Sequence, residues 1–204
     1  MKRRVLLACV SLLSGLASAP LLAAPSVGQT APDFSLSDTQ GKTVRLSDYR
    51  GSHVVLEWVN PGCPYVRKHY NSANMQGTQK EATAQGVVWL AINSTENASG
   101  DYLAPEQMDR WMQTQKASAT RTLMDEDGTV GKAYGARTTP HMYIVDPKGR
   151  LIYAGGIDSV PSSRIDDIKT AVNYVKQGVR EALAGQPLAA ATTRPYGCSI
   201  KYKS

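Results

Sequence analysis

Two apolar runs stand out in the middle of the chain. They read HVVLEWV at 53–59, where only Glu57 is acidic, and GVVWLAINST at 86–95. Such runs are typical of the central strands of a mostly parallel sheet, because both faces of these strands are covered. A helix is predicted to begin at Pro64, since proline is favoured at the first helical position, and Cys63 then takes the cap position.

Shorter patterns predict the remaining elements. Two short strands are expected around 34–36 and 43–45, and a hairpin is expected over 141–158, with its turn at Pro147-Lys148-Gly149. Helices are predicted at 105–116, 130–134 and 162–183, the last from apolar residues at i, i+3 and i+4 spacing. The resulting order, βαβαββα, predicts an α/β sandwich.

The composition divides the chain into three parts. Residues 1–24 have a basic start, an apolar stretch and small residues at the end, which is the layout of a signal peptide. Residues 25–184 are predicted to form one domain. Residues 185–204, which include Cys198, are predicted to form a tail, an arm with one anchoring end. We expect a periplasmic or secreted protein with no stable membrane span after cleavage; an uncleaved membrane anchor is the alternative.

The charge of the chain disfavours a nucleic-acid partner. The formal net charge is +6, and it falls to +3 once the leader with Lys2, Arg3 and Arg4 is removed. The remaining basic residues are spread along the chain without a dense run or interleaved aromatic residues. A solvated surface is therefore the better interpretation of these charges.

The cysteines point to thiol chemistry. The chain has Cys9, Cys63 and Cys198, of which only the last two remain after cleavage. Cys63 lies between Gly62 and Pro64 at the start of the predicted helix, where unpaired N–H groups and the helix dipole stabilise a thiolate. We expect an accessible, reactive cysteine at a strand-to-helix corner; a buried, inert cysteine is the alternative.

Three segments carry a resemblance to a known family. They are PDFSLSDTQGKTVRLSDYRG, VVLEWVNPGCP and YGARTTPHMYIVDPKGRLIYAGGID. Over residues 25–183 the chain resembles the thioredoxin-like superfamily, specifically exported redoxins of the AhpC/TSA, peroxiredoxin-like group, here with a single-cysteine N-P-G-C-P motif. The resemblance implies a three-layer α/β/α sandwich with a central mixed sheet and a reactive Cys63.

The chain departs from the thioredoxin motif at one position. Thioredoxins have C-x-x-C, but here Val66 stands where the second cysteine would be. Glu57 corresponds to the buried carboxylate that exchanges protons with the thiols, so the resemblance makes it a candidate catalytic base whose pKa would be raised by burial. A strand residue that points to solvent is the alternative interpretation of Glu57.

The resemblance also implies a substrate site. Cys63-Pro64 matches the peroxiredoxin motif, but Asn60 replaces its threonine or serine and Arg137 is displaced from the position of its arginine. Thr139-Pro140 resembles the cis-proline turn of thioredoxins, which offers its backbone to a substrate strand. The candidate substrate-binding residues are Asn60, Pro64, Thr139 and Pro140.

Cys198 is a candidate resolving cysteine for Cys63, and a static disulfide or a free tail thiol are the alternatives. We expect an exported thiol oxidoreductase with protein thiols or disulfides as substrates, an unidentified thiol reductant, and no cofactor or metal. The first alternative is a peroxiredoxin-like antioxidant that reduces peroxide. The second is a non-catalytic, copper-binding module that would combine the two cysteines with His141.

Overall fold

The computed structural model describes residues 24–203, and a mixed sheet organises them. Seven strands lie in the order β2-β1-β5-β4-β3-β7-β8, and a separate pair is formed by β6 and β9. The strands are β1 Ser35–Asp38, β2 Thr43–Arg45, β3 Val54–Trp58, β4 Val88–Asn93, β5 Arg121–Met124, β6 Thr138–Thr139, β7 His141–Val145, β8 Leu151–Gly155 and β9 Cys198–Ser199. The helices are α1 Pro64–Asn71, α2 Asn74–Thr83, α3 Pro105–Thr114, α4 Thr129–Tyr134 and α5 Tyr174–Leu183, with 3-10 turns at Leu46–Tyr49 and Ile165–Lys169.

Strand β3 lies in the centre of the sheet. It pairs in parallel with β4 and antiparallel with β7, and all five of its residues are buried. Its alternating side chains enter two cores: Val55 packs with residues of α1, α2, α3 and α5, whereas Leu56 packs with residues of α4. The predicted α/β sandwich with a central mixed sheet is confirmed.

The segment predicted as one helix over 162–183 is divided in the structure. A 3-10 turn occupies Ile165–Lys169, and α5 begins only at Tyr174, where the Asn173 side chain accepts a hydrogen bond from the amide of Lys176. The amide of Ser159 donates to the carbonyl of Val172 and closes this segment into a loop that ends before α5. The prediction was wrong here because the apolar residues 165 and 172 are exposed and do not continue the buried face of α5.

Three elements were absent from the sequence prediction. Strand β5 pairs in parallel with β4, although it contains only four residues. A left-handed Ala73 ends the first helical segment, so α2 is a separate helix. The short pair of β6 and β9 depends on the tail and leaves no periodic pattern to recognise.

The tail is attached along its length, which corrects the expectation of one anchoring end. Near β8, the amide of Thr193 donates to the carbonyl of Ala154 at 3.2 Å, and further on the amide of Ile200 donates to Arg137 at 3.1 Å. The signal peptide predicted for residues 1–24 lies almost wholly outside the described residues. Within 24–203, none of the helices has the length and apolar character needed to cross a membrane.

Candidate active site

Cys63 lies where the chain turns from β3 into α1. Its amide donates to the carbonyl of Asn60 at 3.1 Å, and its extended backbone caps the helix that begins at Pro64. The predicted strand-to-helix corner is therefore present. The side chain is only 2% exposed, however, so the expected accessibility is wrong: the tail covers the sulfur, and only the neighbouring Gly62 and Pro64 remain exposed.

Asn60 shapes the loop before the cysteine. Its side-chain oxygen accepts the Gly62 amide at 2.7 Å, and its Nδ2 donates to the Thr95 hydroxyl at 3.0 Å. Both ends of the amide are thus engaged within the protein, and the residue is buried. These contacts fit a residue that holds the loop, so the substrate-binding assignment of Asn60 stays a prediction.

The Thr139–Pro140 peptide bond is cis and lies opposite Cys63. The Sγ atom of Cys63 is 3.0 Å from the carbonyl oxygen of Thr139, within hydrogen-bonding distance for a thiol. Thr139 and Pro140 are both buried, whereas Pro64 on the other side of the cysteine is exposed. The structure therefore brings Cys63 and the proline turn together.

Cys198 is the second sulfur of the site. It is the strand partner of Thr139 in the antiparallel pair of β6 and β9, and its Sγ lies 2.7 Å from that of Cys63; both cysteines are free thiols. Burial, together with the hydrogen bond and the charge of Cys63, raises the pKa of Cys198 to about 12. At neutral pH Cys198 is therefore protonated, and a protonated thiol is a poor nucleophile.

The approach of the tail to β6 requires glycine at position 197. Gly197 has a φ of +140°, and a Cβ atom there would lie 2.0 Å from the carbonyl oxygen of Thr139. Such a conformation and such a contact are open to glycine alone among the common residues. The absence of a side chain at Gly197 therefore lets the tail backbone lie directly against the proline turn.

Glu57 is buried in the core beneath the sheet and does not point to solvent, so the solvent-facing alternative is wrong. Its carboxylate accepts hydrogen bonds from Tyr70 at 2.9 Å, from Gln79 at 3.0 Å and from Trp89 at 2.8 Å. Burial raises its pKa to about 7, although the three hydrogen bonds oppose the shift. Glu57 titrates near neutral pH, as expected for a proton-exchanging group, but neither cysteine is among its hydrogen-bond partners.

The sequence analysis missed a polar cluster beside the site. Lys68 and His69 of α1, Asp158 after β8 and Tyr196 of the tail meet in the protein interior. A signal existed, because Tyr196 is only two residues from Cys198. A buried lysine is rare, however, and the basic residues of the chain were all assigned to a solvated surface.

The groups expected for peroxide or copper binding are arranged differently. Arg137 is exposed, and its backbone amide, not its guanidinium, lies 3.3 Å from Nδ1 of His141. His141 is buried, and desolvation together with the charge of Arg137 lowers its pKa to about 3. Across residues 24–203, no three His, Cys, Asp or Glu side chains cluster in a way that could hold a metal ion.

Solved structures place this geometry in a known fold. An uncharacterised conserved protein from Geobacillus kaustophilus has a TM-score of 0.73 at 27% identity, with 87% of this chain and 93% of that chain covered. The thioredoxin domain of a thiol-disulfide oxidoreductase from Bacteroides vulgatus has a TM-score of 0.52 at 20% identity, with 72% of this chain and 98% of that chain covered. The expected thioredoxin-like fold is thereby confirmed.

Sequence comparison leads to the same group. The thiol-disulfide oxidoreductase ResA of Bacillus subtilis is 28% identical over 127 residues, which are 62% of this chain and 65% of that protein. The chain thus spans slightly less than two thirds of this relative. The model of the AhpC/TSA family matches residues 27–154. Since this match covers more than half of the chain, the protein belongs to the AhpC/TSA family.

Proposed function

We propose that the protein is an exported thiol-disulfide oxidoreductase whose redox pair is Cys63 and Cys198. The observation that carries this proposal is the 2.7 Å separation of the two sulfur atoms at the cis-proline turn. The relationship to a thiol-disulfide oxidoreductase and the membership of a redox family support it. A pair brought together by strand register replaces the local C-x-x-C pair that the chain lacks.

The reaction is a pair of thiol-disulfide exchanges. The thiolate of Cys63 attacks one sulfur of a substrate disulfide, so a mixed disulfide forms and the other substrate sulfur leaves as a thiolate. Cys198 then attacks Cys63 in the mixed disulfide, and its proton passes to the departing substrate sulfur. The substrate gains two electrons and ends as a dithiol, while the protein ends with a Cys63–Cys198 disulfide that an external thiol reductant must reduce.

The surrounding residues have distinct proposed roles. Thr139 and Pro140 support the site by presenting the carbonyl that faces Cys63, and exposed Pro64 lies where a substrate would approach. Glu57 is proposed as the proton-exchanging group, since its pKa of about 7 lets it gain and lose a proton at neutral pH. Asn60 is proposed to hold the loop in place.

Export is proposed from residues 1–24, whose basic, apolar and small-residue regions resemble a signal peptide. An oxidising compartment would suit a cysteine pair that cycles through a disulfide. The mass of the protein recovered from a periplasmic fraction tests this: loss of the leader is expected, and an intact leader in the cytoplasmic fraction would contradict export.

The redox pair itself is tested with a disulfide substrate. Reduced protein is mixed with insulin and a thiol reductant, and the products are analysed by mass spectrometry after alkylation. We expect reduction of insulin that requires Cys63, and a peptide in which Cys63 and Cys198 are linked. Turnover that persists in Cys63→Ser would overturn the proposal.

A peroxidase is the second candidate, favoured by the AhpC/TSA match and by the Cys63-Pro64 pair. Cys63 would take one oxygen atom from a peroxide to form a sulfenic acid and an alcohol or water, and Cys198 would then condense with it to a disulfide and release water. Two features weigh against it, because stabilising the charge on a reacting peroxide needs free hydrogen-bond donors directed at the site. The side-chain amide of Asn60 already donates to Thr95 within the protein, and Arg137 is exposed at the surface. Peroxide consumption no faster than that of free cysteine would exclude this candidate.

A further inference from the structure

The hydroxyl of the tail residue Tyr196 lies among three buried polar side chains, those of Lys68, His69 and Asp158, which together are called the socket. This hydroxyl donates a hydrogen bond to Oδ1 of Asp158 and lies 3.1 Å from Nε2 of His69 and 3.4 Å from Nζ of Lys68. The side chain of Lys68 is completely buried, and it is paired with Asp158 at 3.2 Å. Three polar groups of the folded domain thus converge on one hydroxyl of the tail.

The hydrogen bonds in this socket have a defined direction. Asn74 donates to Nδ1 of His69 at 2.8 Å, and burial lowers the pKa of His69 to about 4, so the ring is neutral and carries its proton on Nε2. His69 therefore donates to Tyr196, and Tyr196 donates to Asp158. Burial, reinforced by the hydrogen bond and charge of Asp158, raises the pKa of Tyr196 well above its usual value and keeps it a donor.

The socket and the nucleophile are built on the same helix. Cys63 caps α1 and Lys68 lies five residues further on, which corresponds to about 7.5 Å along a helix axis. Along the tail, only Gly197 separates Tyr196 from Cys198. The tail therefore meets the same helix at two points: Tyr196 contacts Lys68 and His69, and Cys198 contacts Cys63.

A buried ion pair of this kind is weak support for stability, because desolvating Lys68 and Asp158 offsets much of their attraction. It is better suited to fixing register. A slip of the tail by one residue would place Gly197 or Ser199 opposite Cys63, and neither has a thiol. It would also withdraw the hydroxyl from three buried partners, which costs free energy for each group left unpaired.

We infer that Tyr196 is a positioning residue of the redox pair: held by Lys68, His69 and Asp158, its hydroxyl fixes the tail so that Cys198 stays opposite Cys63. This inference rests on the proposed Cys63–Cys198 pair. Two consequences follow. The socket raises the effective concentration of Cys198 at Cys63, which favours the disulfide. It also keeps Cys63 covered in the reduced protein.

The test is Tyr196→Phe, compared with Tyr174→Phe. Tyr174 lines the same cavity as Tyr196 but is not one of the socket groups. Each variant, in a Cys9→Ser background, is equilibrated with oxidised and reduced glutathione, where one glutathione disulfide oxidises the two protein thiols and yields two reduced glutathiones. Loss of a hydrogen bond to a charged group predicts that the equilibrium constant for the protein disulfide falls about tenfold or more in Tyr196→Phe. In Tyr174→Phe it is expected to stay unchanged.

Alkylation of reduced Cys63 by iodoacetamide is the second measurement, and it should be faster in Tyr196→Phe because the tail no longer covers the sulfur. Thermal melts of both reduced variants identify any general loss of folding. An unchanged equilibrium constant and an unchanged alkylation rate in Tyr196→Phe would overturn the inference and leave the redox pair intact. Failure of the unsubstituted protein to form the Cys63–Cys198 disulfide would instead overturn the proposed function itself.

Discussion

Cys198 is the strand partner of Thr139, although 59 residues separate them in the sequence and the pairing contains only two residues on each strand. The carbonyl oxygen of Thr139 also lies 3.0 Å from the sulfur of Cys63. Thr139 therefore contacts both members of the proposed redox pair. The short strand pair at the proline turn thus places a second thiol, that of Cys198, beside Cys63, whereas helix α1 has Val66 at the position of a second cysteine.

The order of attack can be tested with single cysteine variants. In a Cys9→Ser background, we expect Cys198→Ser to react with an aromatic disulfide reagent and stop at the mixed disulfide, because no thiol remains to resolve it. The unsubstituted pair should release about twice as much of the reagent's thiolate. Absorbance of that thiolate and the intact protein mass measure both products.

The matched variant is Cys63→Ser, which retains Cys198. Burial, the largest cause of the raised pKa of Cys198, remains in this variant and favours the protonated thiol, so its reaction with the reagent at neutral pH should be slow. Rapid formation of a mixed disulfide at Cys198 would show that the roles of the two sulfurs are reversed.

Gly197→Ala should displace the tail from the proline turn. The added Cβ would lie 2.0 Å from the carbonyl oxygen of Thr139, and the backbone φ of +140° is unfavourable for alanine. Strain of this type costs about 1–3 kcal/mol, so we expect oxidation to the internal disulfide to slow about tenfold or more. Quenching with an alkylating reagent at successive times measures the rate.

Gly185→Ala provides the control for this substitution. Gly185, at the start of the tail, also has a positive φ, +69°, but nothing lies within 4 Å of the added Cβ. Its strain is local and distant from the thiols in the chain, so the oxidation rate should be retained. Equal slowing in both variants would mean that strain anywhere in the tail, and not the contact with Thr139, controls the pair.

Local motifs allowed part of the site to be predicted. Pro64 after Cys63 fixes the start of α1, and the Thr139-Pro140 dipeptide marks the turn, because both signals lie within a few neighbouring residues. The proximity of Cys198 was left open, since 135 residues separate it from Cys63 and only the tertiary fold sets their distance.

The incorrect parts of the prediction also have physical causes. Apolar spacing at 165 and 172 imitated a helical face, but both side chains remain exposed on the path to α5. The socket around Tyr196 was not predicted, because its charged groups compensate one another only after the tail and α1 have met. Contacts of that kind have no periodicity in the sequence.

Asn60→Ala separates a loop-holding role from a substrate-binding role. The variant loses the acceptor for the Gly62 amide and the donor to Thr95, both buried or partly buried, so the free energy of unfolding should fall by about 1–3 kcal/mol. Urea unfolding measures it, with Asn97→Ala at an exposed position as the control. A variant with unchanged stability and a raised KM for the disulfide substrate would favour substrate binding.

Glu57→Gln tests the buried carboxyl through the pH dependence of stability. The pKa of Glu57 rises from 4.5 to about 7 on folding, so between these values the native state holds a proton that the unfolded state has released. Stability from this group is therefore fully present at low pH and declines as the pH rises from 4.5 through 7, by about 3 kcal/mol in total. Glutamine cannot ionise, so this decline should be absent from the variant.

The glutamine side chain fits the site because its oxygen can accept from Gln79 and Trp89 while its amino group donates to Tyr70. Urea unfolding on both sides of the titration, with exposed Glu106→Gln as the control, gives the comparison. If Glu57 also exchanges protons during turnover, the activity of Glu57→Gln should lose its dependence on a group that titrates near pH 7. A stability profile that still declines in the variant would assign the titration to another group, and an unchanged activity profile would remove Glu57 from the proposed chemistry.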